Sequence, residues 1–119
     1  MPAKRVLTAT LLLSVLFLIP RIALAHAILV SSTPAANAVV REDSTAVELR
    51  FNSRVDGQRS RLTLVLPNGQ TQPLPLEKQT AATTLNSHLA AKPGSYIIRW
   101  QALSTDGHIT RGEIPFTVR

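Results

Sequence analysis

The chain has 119 residues, no cysteine, one methionine at position 1 and a formal charge of +6. That length allows a single domain. The missing cysteines exclude a disulfide scaffold and any thiolate metal site. The basic residues are scattered, with no basic stripe carrying interleaved aromatics, so nucleic acid is excluded as a partner.

The first 25 residues read as an export signal. Met1-Pro2-Ala3-Lys4-Arg5 is a basic start, Val6 to Ile19 is an uncharged apolar run, and Ala23-Leu24-Ala25 fits a small-x-small cleavage pattern. A retained membrane anchor is the competing reading. The run is shorter than the roughly twenty apolar residues a span needs, and Pro20-Arg21 ends it. Cleavage after Ala25 leaves a domain of 94 residues, 26–119. It also removes Lys4, Arg5 and Arg21, which lowers the formal charge to +3, and it removes the only thioether. A chain of about ninety residues without disulfides must rest on its apolar core.

From His26 onward the pattern is one of strands and turns. Ala27 to Ser32 is short and β-rich, and Thr33-Pro34-Ala35-Ala36-Asn37 breaks it. Thr45 to Phe51 alternates, with Val47, Leu49 and Phe51 on one face and Glu48 and Arg50 on the other. Arg61 to Leu66 alternates again. Pro67-Asn68-Gly69 is a strong turn signal, and Gln70 to Leu76 would return as an edge strand because of Pro73 and Pro75. Thr80 to Leu85 is a weaker strand, and His88 is expected in an exposed loop. Ser95 to Leu103 is the clearest strand, with Tyr96, Ile98 and Trp100 facing the core. Gly112 to Val118 closes the domain, with Glu113 at the surface. About seven short strands and no helical period predict an all-β, two-sheet sandwich.

Chemistry concentrates in Thr105-Asp106-Gly107-His108. In an extended segment residues two apart share a side, so Asp106 and His108 could reach one ion. Two ligands do not make a tight site. His26 is the natural third, because cleavage would give it a free α-amine, a group that titrates near 8 in its unperturbed form. The amine and ring of His26, the ring of His108 and the carboxylate of Asp106 offer three nitrogens and one oxygen. Such sets suit Cu(II), the highest of the divalent affinity order, although Zn(II) also accepts these donors. Spacing alone leaves open whether residue 26 meets residue 108. Ser104, Asp106 and His108 lie too close on one segment for a Ser-His-Asp triad, and no phosphate loop or zinc-protease helix is present.

These segments resemble the CopC family of exported copper-binding proteins. The resemblance is carried by His26-Ala27-Ile28-Leu29-Val30-Ser31-Ser32-Thr33-Pro34-Ala35, Val47-Glu48-Leu49-Arg50-Phe51, Pro93-Gly94-Ser95-Tyr96-Ile97-Ile98-Arg99-Trp100, Ser104-Thr105-Asp106-Gly107-His108, Gly112 and Phe116-Thr117-Val118. It implies a seven-stranded Greek-key β-sandwich, Ig-like or cupredoxin-like. It also implies a periplasmic address and one Cu(II) per chain, held by His26, Asp106 and His108. The implied role is that of a copper carrier or buffer in homeostasis or resistance. A monomer without catalysis is expected, and the resemblance suggests a CopD-like inner-membrane copper transport protein as its partner. Some relatives carry a Met-rich Cu(I) loop. Here Leu66 to Leu76 has no Met, so no Cu(I) site is expected. Some carry Glu two residues after the Phe of the second strand, where this chain has Ser53. Two other readings compete: an Ig-like interaction module with incidental metal binding, and a copper enzyme built on an N-terminal histidine chelate.

Overall fold

The computed structural model describes residues 26–119, so the expected export segment lies outside the described residues. Eight strands follow in order: β1 (Leu29–Thr33), β2 (Ala38–Val40), β3 (Ser44–Phe51), β4 (Arg61–Val65), β5 (Thr71–Leu74), β6 (Thr84–Ala90), β7 (Gly94–Leu103) and β8 (Ile109–Val118). They form a three-stranded sheet, β1-β3-β6, and a five-stranded sheet, β2-β8-β7-β4-β5. The expected all-β sandwich is what the chain forms, with one short strand more than the seven expected.

Alternation explains the layering. On β3, Val47, Leu49 and Phe51 are buried, and on β7 Tyr96, Ile98, Trp100 and Ala102 are. Successive strand side chains point to opposite faces, so each strand sends one row inward. β4 adds Leu62 and Leu64, β6 adds Leu85 and Leu89, and β8 adds Ile114, Phe116 and Val118. Phe51 meets Trp100 edge to face, with centroids 5.3 Å apart, which joins the two sheets.

β7 and β8 pair in register over ten residues, from Gly94↔Val118 to Leu103↔Ile109. Gly112 stands opposite Trp100, and a Cβ there would lie 2.5 Å from Trp100 Cζ2. The indole therefore lies against bare backbone, and its Nε1 is buried with no hydrogen-bond partner among the described residues.

The N-terminal segment serves both sheets. β1 pairs antiparallel with β3, and β2 pairs parallel with β8. The expected break at Thr33–Asn37 is the crossover between them. It is closed by the Asn37 N–H donating to Pro115 O at 2.6 Å.

Two expectations change in detail. The strand anticipated over Thr80–Leu85 is β6, Thr84–Ala90. His88, expected in a loop, sits on that strand with its side chain exposed. Its backbone has a ladder partner in Ala46 of β3, so the segment is extended even though its composition is polar.

Candidate metal centre

Three pieces of chain meet at one end of the sandwich: the residues before β1, the residues after β3, and the loop from β7 to β8. The loop is built as a tight turn. Gly107 N–H donates to Ser104 O at 3.0 Å, and Ser104 N–H donates to His108 O at 2.9 Å. Gly107 has φ +90°, a region that favours glycine. Asp106 and His108 are thus neighbours through a turn and not through an extended segment, as the sequence reading assumed. The bonds closing the turn explain the difference.

Within the turn, Asp106 is held on one side. Its Oδ1 accepts from the Ser104 hydroxyl and from the His108 N–H, the latter at 3.1 Å. Its Oδ2 lies 3.1 Å from His108 Nδ1. The Ser104 hydroxyl, first, and the His108 amide, second, stabilise the carboxylate and lower its pKa to about 2, with the His108 ring adding to the effect. Asp106 is therefore an anion at any ordinary pH, as a metal ligand must be.

His26 reaches the turn because the residues after it are tied down. Thr110 Oγ1 donates to Ala27 O at 2.8 Å. The Ile28 N–H donates to Asn52 Oδ1 at 2.8 Å, and the Asn52 N–H returns a bond to Ile28 O at 3.0 Å. Ala27 is 1% exposed and packs in the core. These ties leave His26 half-buried, with its ring edge-on to that of His108 and the centroids 5.0 Å apart. The structure thus sets the His26 ring beside that of His108, and His108 beside Asp106.

The donor set suits a small cation. Two atoms bound side by side on one ion, each about 2.0–2.2 Å from it, are separated by roughly 3 Å. Asp106 Oδ2 and His108 Nδ1 have that separation. Among the described residues no group of three or more His, Asp or Glu side chains is arranged to hold a metal ion, so the side chains alone do not complete a site. The His26 α-nitrogen is a peptide nitrogen in the full chain, so the chelating amine does not exist until residue 25 is removed.

Other candidates lie elsewhere. His88 Nδ1 contacts Glu77 Oε1 on the outer face of β6. Its partner Ala46 is five residues along β3 from Phe51, about 17 Å at strand spacing. Glu113 is exposed and pairs with Arg99 Nε at 3.1 Å. Ser53 offers no carboxylate, and its buried Oγ has no partner among the described residues. Sequence reasoning gave no part to three residues that build this end: Asn52, Ser104 and Thr110. Only Ser104 had a local signal, as the first residue of Ser-x-Asp-x-His.

The CopC domain family model matches residues 29–119. The chain is 34% identical over 102 residues to Protein YobA of Escherichia coli (strain K12), covering 80% of each chain. It is 29% identical over 112 residues to Copper transport protein CutJ of Bacillus subtilis (strain 168), with 91% of this chain spanning only 21% of CutJ. Among solved structures, CopC from Methylosinus trichosporium OB3b is similar with a TM-score of 0.69 at 29% identity, covering 78% of this chain and 93% of that one. PcoC, a methionine-rich copper resistance protein from Escherichia coli, is similar with a TM-score of 0.61 at 25% identity, covering 80% and 100%.

Proposed function

We propose, from the fact that this chain belongs to the CopC family, that it is an exported Cu(II)-binding protein that carries or buffers copper in the periplasm. Residues 1–25 are removed, and His26 becomes the N-terminus. One Cu(II) per chain is then held by the His26 amine and ring, His108 and an oxygen of Asp106. One observation carries this reading: Asp106 Oδ2 lies 3.1 Å from His108 Nδ1, and the His108 ring meets the His26 ring edge to face with centroids 5.0 Å apart.

The oxidation state follows from the donors. Residues 26–119 contain no thiolate or thioether, the soft ligands that favour Cu(I). PcoC is described as methionine-rich, and this chain has only Met1. We therefore assign no Cu(I) site. Nitrogen and oxygen donors favour Cu(II), with Zn(II) below it in the affinity order.

The chemistry is binding and release, without catalysis. Copper is the cargo, and the protein acts as a monomer. The onward step we propose is delivery to a CopD-like inner-membrane copper transport protein. The likeness to CutJ supports that reading, because CutJ is named a copper transport protein and most of its chain lies beyond the stretch matched here.

The test uses two purified proteins, one beginning at His26 and one with a single extra residue before it. The extra residue turns the amine into an amide and leaves the sandwich intact. Competitive Cu(II) titration and EPR are read on both. A large loss of affinity and a changed spectrum in the extended form are expected. Tight, identical binding by both would place the copper elsewhere, and weak binding by both would favour an interaction module. His88→Ala serves as the control and should bind as the parent does.

A further inference from the structure

Ser104 is buried, 4% exposed, at the point where β7 ends. Its backbone is held on both sides, by a bridge to Val55 and by its bonds to His108 O and Gly107 N. Its hydroxyl therefore projects from a fixed place. That hydroxyl has one proton and two acceptors within reach, Asp106 Oδ1 and His108 O at 3.0 Å. His108 O is already served by the Ser104 N–H at 2.9 Å. Hydrogen bonds to an ionised acceptor are the stronger ones, so the proton goes to Asp106.

The consequence is a carboxylate with unequal oxygens. Oδ1 accepts two bonds, from the Ser104 hydroxyl and the His108 amide, and the carboxylate cannot turn without losing them. Oδ2 takes no bond from the Ser104 hydroxyl or the turn's backbone, and its one partner is the His108 ring, with Nδ1 3.1 Å away. We infer that Ser104 is a positioning residue for the metal site: it ties down Oδ1 and so presents Oδ2 as the one oxygen that Asp106 gives to the ion. This rests on the reading of His26, Asp106 and His108 as the Cu(II) ligands. Groups that orient a metal ligand from behind are commonly worth 10–100-fold in affinity.

The experiment compares Ser104→Ala, Ser104→Thr, Asp106→Ala and the Ser104→Ala/Asp106→Ala double variant, all beginning at His26. Cu(II) affinity is read by competition and coordination by EPR, and metal-free near-UV circular dichroism confirms the fold. Ser104→Ala should bind Cu(II) about 10–100-fold more weakly, with an altered spectrum. Ser104→Thr, which keeps the hydroxyl, should retain most of the affinity. In the Asp106→Ala background, Ser104→Ala should cost nothing further, because the oxygen it positions is gone. Parental affinity in Ser104→Ala, with Asp106→Ala impaired, would overturn the inference and leave the ligand set standing. An equal loss from Ser104→Ala in both backgrounds would also overturn it, since Ser104 would then act on the turn and not on the carboxylate. Parental affinity in Asp106→Ala would overturn the ligand set and this inference with it.

Discussion

Gly112→Ala tests how tightly the seam between β7 and β8 closes on Trp100. A methyl at residue 112 would stand 2.5 Å from Trp100 Cζ2, 2.6 Å from Cε2 and 2.7 Å from Nε1. These are ring atoms, and the ring cannot bend away. It is buried and is held on another side by Phe51. Overpacking of this kind typically costs about 1–3 kcal/mol, and three contacts with a rigid ring argue for the upper end. The lost freedom of the unfolded chain returns about 0.4–1 kcal/mol. The net loss is about 2 kcal/mol. For a domain of this size each kcal/mol is worth about 4–8 °C, so Tm should fall by about 8–16 °C. Thermal melts followed by near-UV circular dichroism read the shift, and Trp100, the only tryptophan, reports the local change. Trp100→Phe shrinks the ring, so the double variant should recover at least about 1 kcal/mol relative to additivity. A Gly112→Ala protein that melts at or above the parent temperature would refute the reasoning.

Three other outcomes are expected. In the metal-free protein, Asp106 should titrate near 2 by carbon-detected NMR, and Ser104→Ala should raise that value because the largest stabilising bond is gone. The sign for stability follows: the carboxylate's contribution is complete above the ordinary range near 4 and is lost as pH falls toward 2. A smaller fall of the unfolding free energy across that window in Asp106→Asn than in the parent would agree. Leu49→Ala empties a fully buried position on β3 and should cost about 2–5 kcal/mol by urea unfolding; a loss below about 1 kcal/mol would refute its place in the core. Asn52→Ala removes the acceptor for the Ile28 amide and should speed hydrogen exchange at Ile28 about fivefold, the equivalent of roughly 1 kcal/mol, with Leu64 and Ile98 unchanged.

The strands that alternate strictly were legible from the chain alone. β3, β4, β7 and the second half of β8 bury one row each, and that leaves a period of two. β6 was legible only in part, with its bounds misplaced, because several of its buried residues are polar. Ser87 is buried by donating to Pro75 O at 2.7 Å, and Asn86 is buried by accepting from Thr84 Oγ1 at 3.0 Å. A satisfied polar side chain is cheap to bury, but it erases the apolar signal. β2 was missed because three residues carry little pattern and their partners lie almost eighty positions away, at Phe116–Val118. The site divides in the same way. Asp106 and His108 were visible because they lie two residues apart and are chemically distinctive. Thr110 and Asn52 were invisible because each does its work across the fold, on the backbone of residues far from it in the chain.

The direction of β8 has a practical consequence. The strand starts at Ile109, beside the His108 turn, and runs ten residues to Val118, a length of about 30 Å. Arg119 is then fastened at the far end, donating to Val40 O and accepting from Glu42 N. The domain thus has a business end and a handle. A fluorophore, purification tag or surface linker joined after Arg119 would sit remote from the histidines and leave them open to solution. The same attachment made ahead of His26 would block the chelate proposed there, so the molecule should be immobilised, labelled or tethered from its C-terminal side.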